Sequence, residues 1–132
     1  MRMIDFHLDT SSGVATYLQL VTQVRQALRV GLLAEGDRLP TAQQVVAELA
    51  INPNTVLKAY RELERDGLVR ARPGLGTFVV GSLPRADPAV RARFLASMER
   101  WLRSARDAGL DREDVEALYR TALRRTQIEG AA

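Results

Sequence analysis

The stretch Asn52 to Gly67, NPNTVLKAYRELERDG, constrains the fold more than any other part of the chain. Asn-Pro opens a helix: the Asn52 side chain can accept a first-turn N–H, and Pro53 at the first helical position lacks only an N–H that would be unpaired there. Val56, Ala59, Tyr60 and Leu63 then fall at i, i+3, i+4 and i+7, an apolar stripe that other elements must cover. Asn54, Thr55, Lys58, Arg61 and Arg65 lie largely off the stripe, and Gly67 is placed to end the helix. The exposed side thus carries amide and hydroxyl groups at its N-terminal end and cations further along. That is the chemistry of a helix entering a DNA major groove tip first, with short polar groups on base edges and Lys or Arg on phosphates. Alone, the same pattern also describes an ordinary amphipathic surface helix, so the flanking elements decide.

Upstream, Tyr17, Leu20, Val21, Val24, Ala27 and Leu28 keep helical spacing up to about Val30 and Gly31, which predicts a first core-packing helix. Residues 1–14 read as polar and irregular. Leu32 to Pro40 reads as a turn-rich connection, and Thr41 with Gln44 fits a capping box opening a second helix through Leu49. Only Ala50 and Ile51 separate Leu49 from Asn52, so the second and third helices must turn sharply, as in a helix-turn-helix. Downstream the periodicity changes. Leu68 to Arg72 and Thr77 to Val80 are strand-like and are joined by Pro73-Gly74-Leu75-Gly76, a β-hairpin. Three helices and a hairpin make the winged-helix plan. A phosphate-binding loop at the Gly-rich turn is disfavoured, because no Lys-Ser/Thr follows and no helix begins there.

Composition narrows the function classes. The 132 residues leave room for one compact domain plus an appendage, and 46% hydrophobic content argues against disorder. No apolar run approaches the roughly 20 residues needed to cross a bilayer, and the start MRMIDFHLDTSSG lacks a hydrophobic signal core, so a cytoplasmic location without membrane association is expected. With no cysteine and a single histidine, His7, which is expected to be exposed, thiolate and multi-histidine metal sites are ruled out. Net charge is only +3, and residues 1–80 carry 9 Lys+Arg against 8 Asp+Glu, so the case for nucleic acid rests on local placement.

The chain resembles the GntR family of bacterial transcription regulators. The resemblance is carried by Tyr17 and Gln19, Gly36-Asp37-Arg38-Leu39-Pro40, Asn54-Thr55-Val56, Ala59, Glu62-Leu63, Gly67-Leu68, Gly74 and Gly76-Thr77-Phe78-Val79, which keep order and spacing over roughly residues 15–80. Asn52-Pro53-Asn54-Thr55-Val56 with Ala59-Tyr60 and a short tail is most similar to the YtrA-like subfamily. The resemblance implies a dimeric repressor of an operon that includes its own gene and a transporter, bound to double-stranded operator DNA through its third helix and wing. It further implies that Arg38 and Thr41 contact phosphates, that Asn52, Asn54, Thr55 and Lys58 meet bases or backbone, and that Gly74 and Gly76 let the wing come close. The competing local roles are a solvated charge at Arg38 and a pure helix cap at Thr41. Pro53, Gln43 and Leu75 depart from positions where many members are basic, so operator preference does not carry over from those relatives.

Beyond Gly81-Ser82-Leu83-Pro84, which reads as a linker, Asp87 caps and Pro88 opens another helix ending near Gly109, and Asp111 caps a last one. Val90, Phe94, Met98, Trp101, Leu102 and Ala105 lie on one side of the first, and Val115, Leu118, Tyr119, Ala122 and Leu123 form a stripe on the second. Two helices cannot enclose a core, so Phe94, Met98, Trp101, Leu102, Leu118 and Tyr119 need a partner surface. A second copy fits better than folding back on the same chain, because a symmetric dimer also sets two reading helices on two half-sites. A cofactor pocket around Trp101 is the weaker reading, and no cofactor is expected. The tail is too short for the large effector domains of most GntR subfamilies, which leaves little room for a small-molecule effector.

The expected architecture is α+β, a winged helix-turn-helix over residues 1–80 followed by a two-helix dimerisation segment over 81–132. The alternative is a protein-interaction or architectural module on the same scaffold. Catalysis is not expected, since Ser11, Ser12 and Thr55 have no base nearby in sequence and no carboxylate pair stands in a Gly- or His-marked context.

Overall fold

The computed structural model describes residues 4–84 and 86–128; Met1–Met3, Arg85 and the last four residues, which fall in the expected domains 1–80 and 81–132, lie outside the described residues. The elements run α1 (Thr16–Arg29), α2 (Ala42–Leu49), α3 (Pro53–Arg65), β1 (Val69–Arg72), β2 (Gly76–Val79), α4 (Pro88–Asp107) and α5 (Arg112–Thr126). They divide into two compact units, Met1–Arg85 and Ala86–Ala132.

In the first unit the apolar stripes meet as their spacing requires. Leu20, Val21, Val24, Ala27 and Leu28 of α1 and Val56, Ala59, Tyr60 and Leu63 of α3 are buried in one cluster with Leu33, Leu39, Val45, Leu68, Val69 and Val79. The end of α3 shows why Gly67 is needed: at φ +77 it lets its own N–H reach Glu64 O at 3.0 Å and the Leu68 N–H reach Leu63 O at 3.0 Å. The strands are antiparallel, with Val69 opposite Val79, Arg70 opposite Phe78, Ala71 opposite Thr77 and Arg72 opposite Gly76. Relative to the expected hairpin, Gly76 belongs to the second strand rather than to the turn.

Three features depart from the sequence expectations, and each depends on contacts distant in sequence. The segment before α1 is irregular, yet Phe6 is buried in the core with Ile4 and Leu8 packed against it. Its backbone is held along α1 by two glutamines. Gln23 Oε1 accepts from His7 N at 3.1 Å while its Nε2 donates to His7 O, and Gln19 does the same for Asp9 N and Asp9 O at 2.9 and 3.0 Å. The second departure is in the turn-rich connection, where Arg38 forms a single antiparallel bridge with Phe78 along the free edge of β2 and Leu39 N donates to Thr77 O at 2.8 Å. Third, the expected linker lies on this unit. Leu83 packs against the core, Arg29 Nη1 donates to Pro84 O at 3.2 Å, and a β-carbon on Gly81 would collide with the Gly67 carbonyl.

In the second unit Asp87 Oδ1 accepts from Ala89 N at 2.9 Å to start α4, and Asp111 with Asp114 forms a reciprocal capping box at the start of α5. Ala105 is the one buried residue among those described in this unit. Among the described residues no helix is long and apolar enough to cross a membrane, and no cluster of His, Asp and Glu could hold a metal ion.

Candidate nucleic-acid interface

The α2–α3 corner is ordered by its caps. Thr41 Oγ1 accepts from Gln44 N at 3.1 Å and Gln44 Oε1 accepts from Thr41 N at 2.8 Å, the expected capping box. Ala50 ends α2 in the left-handed conformation at φ 54, a backbone that turns the chain toward α3 and that a β-carbon disfavours. Asn52 Oδ1 then accepts from Asn54 N at 2.8 Å, with Pro53 at the first helical position. The angle between the two helices is pinned from inside by the buried Tyr60 hydroxyl, which donates to Pro40 O at 2.6 Å. Burial pushes the Tyr60 phenol well above its ordinary pKa, so it remains a donor.

This framework leaves Asn54, Lys58, Arg61 and Arg65 exposed along α3, with Thr55 half-buried. Asn52 spends its oxygen on the cap and keeps its amide group as a donor; Thr41 spends an acceptor site and keeps its hydroxyl proton. Lys58 is turned toward α1, its Nζ 4.1 Å from the centre of the Tyr17 ring, where the aromatic face favours the cation while leaving it exposed. Arg65 stands 3.7 Å from Glu62, and Arg61 Nε donates to Leu57 O at 3.3 Å.

Beside α3 the wing carries a basic face that net charge conceals. Directly paired residues of a pleated sheet project to the same side, so Arg38, Phe78 and Arg70 share one face, with Arg72 and Gly76 one pair further along it. Val69 and Val79 take the opposite face, into the core. Arg72 stacks on the Phe78 ring at 5.2 Å. Arg38 is not a freely solvated charge: it is half-buried, its Nε is buried without a hydrogen-bond partner, and its stem lies on Gly76, where a β-carbon would come within 3.1 Å of Cδ. Gly76 at φ +124 therefore supplies both a backbone shape and room for Arg38, whereas Gly74 at φ +74 has open space around it and supplies shape alone. Glu64 Oε2 accepts from Ala71 N at 2.9 Å, tying the wing to α3 and covering part of the β1 edge.

Arg70 and Arg72 are absent from the contacts expected from sequence. The signal that could have found them is the period-two alternation Val69-Arg70-Ala71-Arg72, which puts both cations opposite the core-facing valine. Of the expected partner-seeking residues in the second unit, Phe94 is 61% exposed, Met98 51%, Trp101 47%, Leu102 40%, Leu118 46% and Tyr119 51%; Leu95, also 54% exposed, joins them.

Comparison with known proteins agrees with this geometry. Residues 16–79 match the family model described as bacterial regulatory proteins, gntR family. The HTH-type transcriptional regulator Rv1152 of Mycobacterium tuberculosis is 38% identical over 107 residues, covering 81% of this chain and 84% of that one. The HTH-type transcriptional repressor YtrA of Bacillus subtilis is 36% identical over 72 residues, 54% of this chain and 55% of its own length. Among solved structures, a transcriptional antiterminator from Listeria monocytogenes superposes with a TM-score of 0.57 at 26% identity over 90% of each chain. YtrA from Sulfolobus acidocaldarius, a GntR-family transcription factor, superposes with a TM-score of 0.54 at 25% identity, covering 74% of this chain and 96% of that one.

Proposed function

The chain belongs to the GntR family of bacterial regulatory proteins and is a DNA-binding transcription regulator of that type; on this premise we propose that it is a homodimeric, sequence-specific repressor. The observation that carries the reading is the placement of Asn54 at the exposed, cap-ordered tip of α3, in a unit whose wing bears Arg38, Arg70 and Arg72 on one face and is tied to α3 through Glu64. In this reading α3 enters the major groove. Asn54 and Thr55 meet base edges, Asn52 and Lys58 meet bases or backbone, Thr41 and Arg38 meet phosphates, and Gly74 and Gly76 bring the wing to the backbone.

Residues 1–80 act as the reading domain and 81–132 as the dimerisation segment, where Phe94, Met98, Trp101, Leu102, Leu118 and Tyr119 pack on a second copy. Their exposure supports this, because so many large apolar groups on two helices are costly to leave in water. Repression, and control of an operon holding its own gene and a transporter, follow the resemblance to YtrA-type relatives, one of which is named a repressor.

The test is a set of titrations on an operator fragment and a scrambled duplex across several salt concentrations. Asn54→Ala and Thr55→Ala should lower the specificity ratio, since a good base contact is worth about 1–3 kcal/mol of discrimination. Arg70→Ala and Arg72→Ala should weaken both duplexes and reduce the salt slope by about one phosphate each. An unchanged specificity ratio in both α3 variants removes the base-reading assignment. Equal wild-type affinity for unrelated duplexes points to an architectural module instead.

A further inference from the structure

The outward side of α3 holds one large apolar side chain. Leu57 is 42% exposed and takes no part in the core cluster, while the exposed positions around it, Asn54, Lys58, Arg61 and Arg65, are polar or charged. A single exposed leucine on a protein surface needs no explanation by itself. Its position does. Leu57 lies one turn from both Asn54 and Arg61, at i+3 and i−4, and two turns before Glu64, whose carboxylate holds the wing at Ala71. It therefore sits on the wing side of the reading face, whereas Lys58 is drawn to the opposite side by the Tyr17 ring at 4.1 Å. Arg61 Nε donates to the Leu57 backbone carbonyl at 3.3 Å, and the leucine side chain stays exposed beside it. On the wing side of Asn54 the outward surface therefore includes a branched hydrocarbon, which has no donor or acceptor of its own.

In a major groove, one base feature rewards hydrocarbon: the C5-methyl group of thymine. Against guanine, cytosine or adenine at that step, Leu57 would cover N7, O6, N4 or N6 groups without offering a hydrogen bond, and burying an unpaired polar group is penalised. We propose that Leu57 is a specificity residue that selects a thymine in each half-site by packing on its 5-methyl group. This rests on the groove-reading assignment of α3 and deepens it.

The experiment uses the full-length protein and an operator obtained by in vitro selection with it. Thymines of each half-site are replaced one at a time by deoxyuridine, which removes the methyl group and leaves every hydrogen-bonding atom. At one thymine per half-site the wild type should lose about fourfold in affinity, the worth of burying one methyl-sized group. Leu57→Ala should bind the unmodified operator less tightly and respond to that same replacement not at all. Alanine is a good helix former and position 57 is exposed, so the variant should fold, which a thermal melt confirms. Repeating the selection with Leu57→Gln should lose the thymine at that step. If no deoxyuridine position couples to Leu57 while Asn54→Ala still loses specificity, the inference is overturned and the groove assignment stands. If neither variant changes specificity, or selection yields no preferred sequence, the groove assignment falls and the inference with it.

Discussion

Replacing Tyr60 by Phe removes one oxygen atom from a buried joint of the helix-turn-helix. The ring stays in the core beside Val56, Ala59 and Leu63, and the Pro40 carbonyl loses the hydroxyl that donates to it at 2.6 Å. Pro40 is itself buried, so its oxygen is left without a protein donor and the cost is the larger one for an orphaned group, about 1–3 kcal/mol. For a domain of this size each kcal/mol lowers Tm by roughly 4–8 °C, so the melting point should fall by roughly 5–20 °C. The pH dependence supplies an independent check. In the unfolded chain the phenol ionises with a pKa of about 10, whereas burial raises it in the folded chain. Above that pH the unfolded state binds fewer protons than the folded one, so Tyr60 favours unfolding by up to about 1.4 kcal/mol per pH unit. The stabilisation by Tyr60 is fully present below pH 10 and lost above it, and the gap between wild type and Tyr60→Phe should narrow as pH rises. Urea and thermal melts of both proteins from pH 7 to 11, followed by circular dichroism, measure both effects. A Tm change under 1 °C, or a gap that stays constant across the whole range, would refute the view that a buried hydroxyl pins α3 to the start of α2.

Thr41→Asp should keep the cap, because a carboxylate accepts from Gln44 N and is favoured at a helix N-terminus, yet should repel phosphate most strongly at low salt; unchanged Tm with lost DNA binding supports a phosphate contact, and retained binding leaves Thr41 as a cap alone. Ending the chain at Arg85 rather than at Val80 keeps Leu83 on the core, and should give a folded monomer whose affinity for the full operator is lower by roughly 10²-fold or more. Paired charged substitutions at Phe94 and Trp101 in the whole chain should reproduce that loss, and sedimentation showing a dimeric truncation would place the interface elsewhere.

Much of the first unit is legible in the sequence. The Asn52-Pro53 start, the Thr41-Gln44 box, the Val56-Ala59-Tyr60-Leu63 stripe and the Gly67 stop all appear in the structure as the sequence implies. Each depends on interactions within about one turn of chain, and short-range geometry is written in residue spacing. The same holds for the hairpin, whose strands are joined by a turn with positive φ at Gly74.

What only the tertiary structure decided spans longer separations. Phe6 alternates with Ile4 and Leu8 among polar residues too briefly to announce an element, and it meets the core where Gln19 and Gln23, on the next element, supply paired donor and acceptor groups to the backbone around it. Arg38 reads as a loop cation and becomes part of the wing because its backbone pairs with Phe78, forty residues on, over a glycine that leaves room for its stem. That pairing gathers Arg38, Arg70 and Arg72 on one face in a domain whose charges nearly cancel. Periodicity shows which side of an element faces inward. Which distant element it meets there depends on how the packed stripes orient the chain, and local spacing holds no record of that.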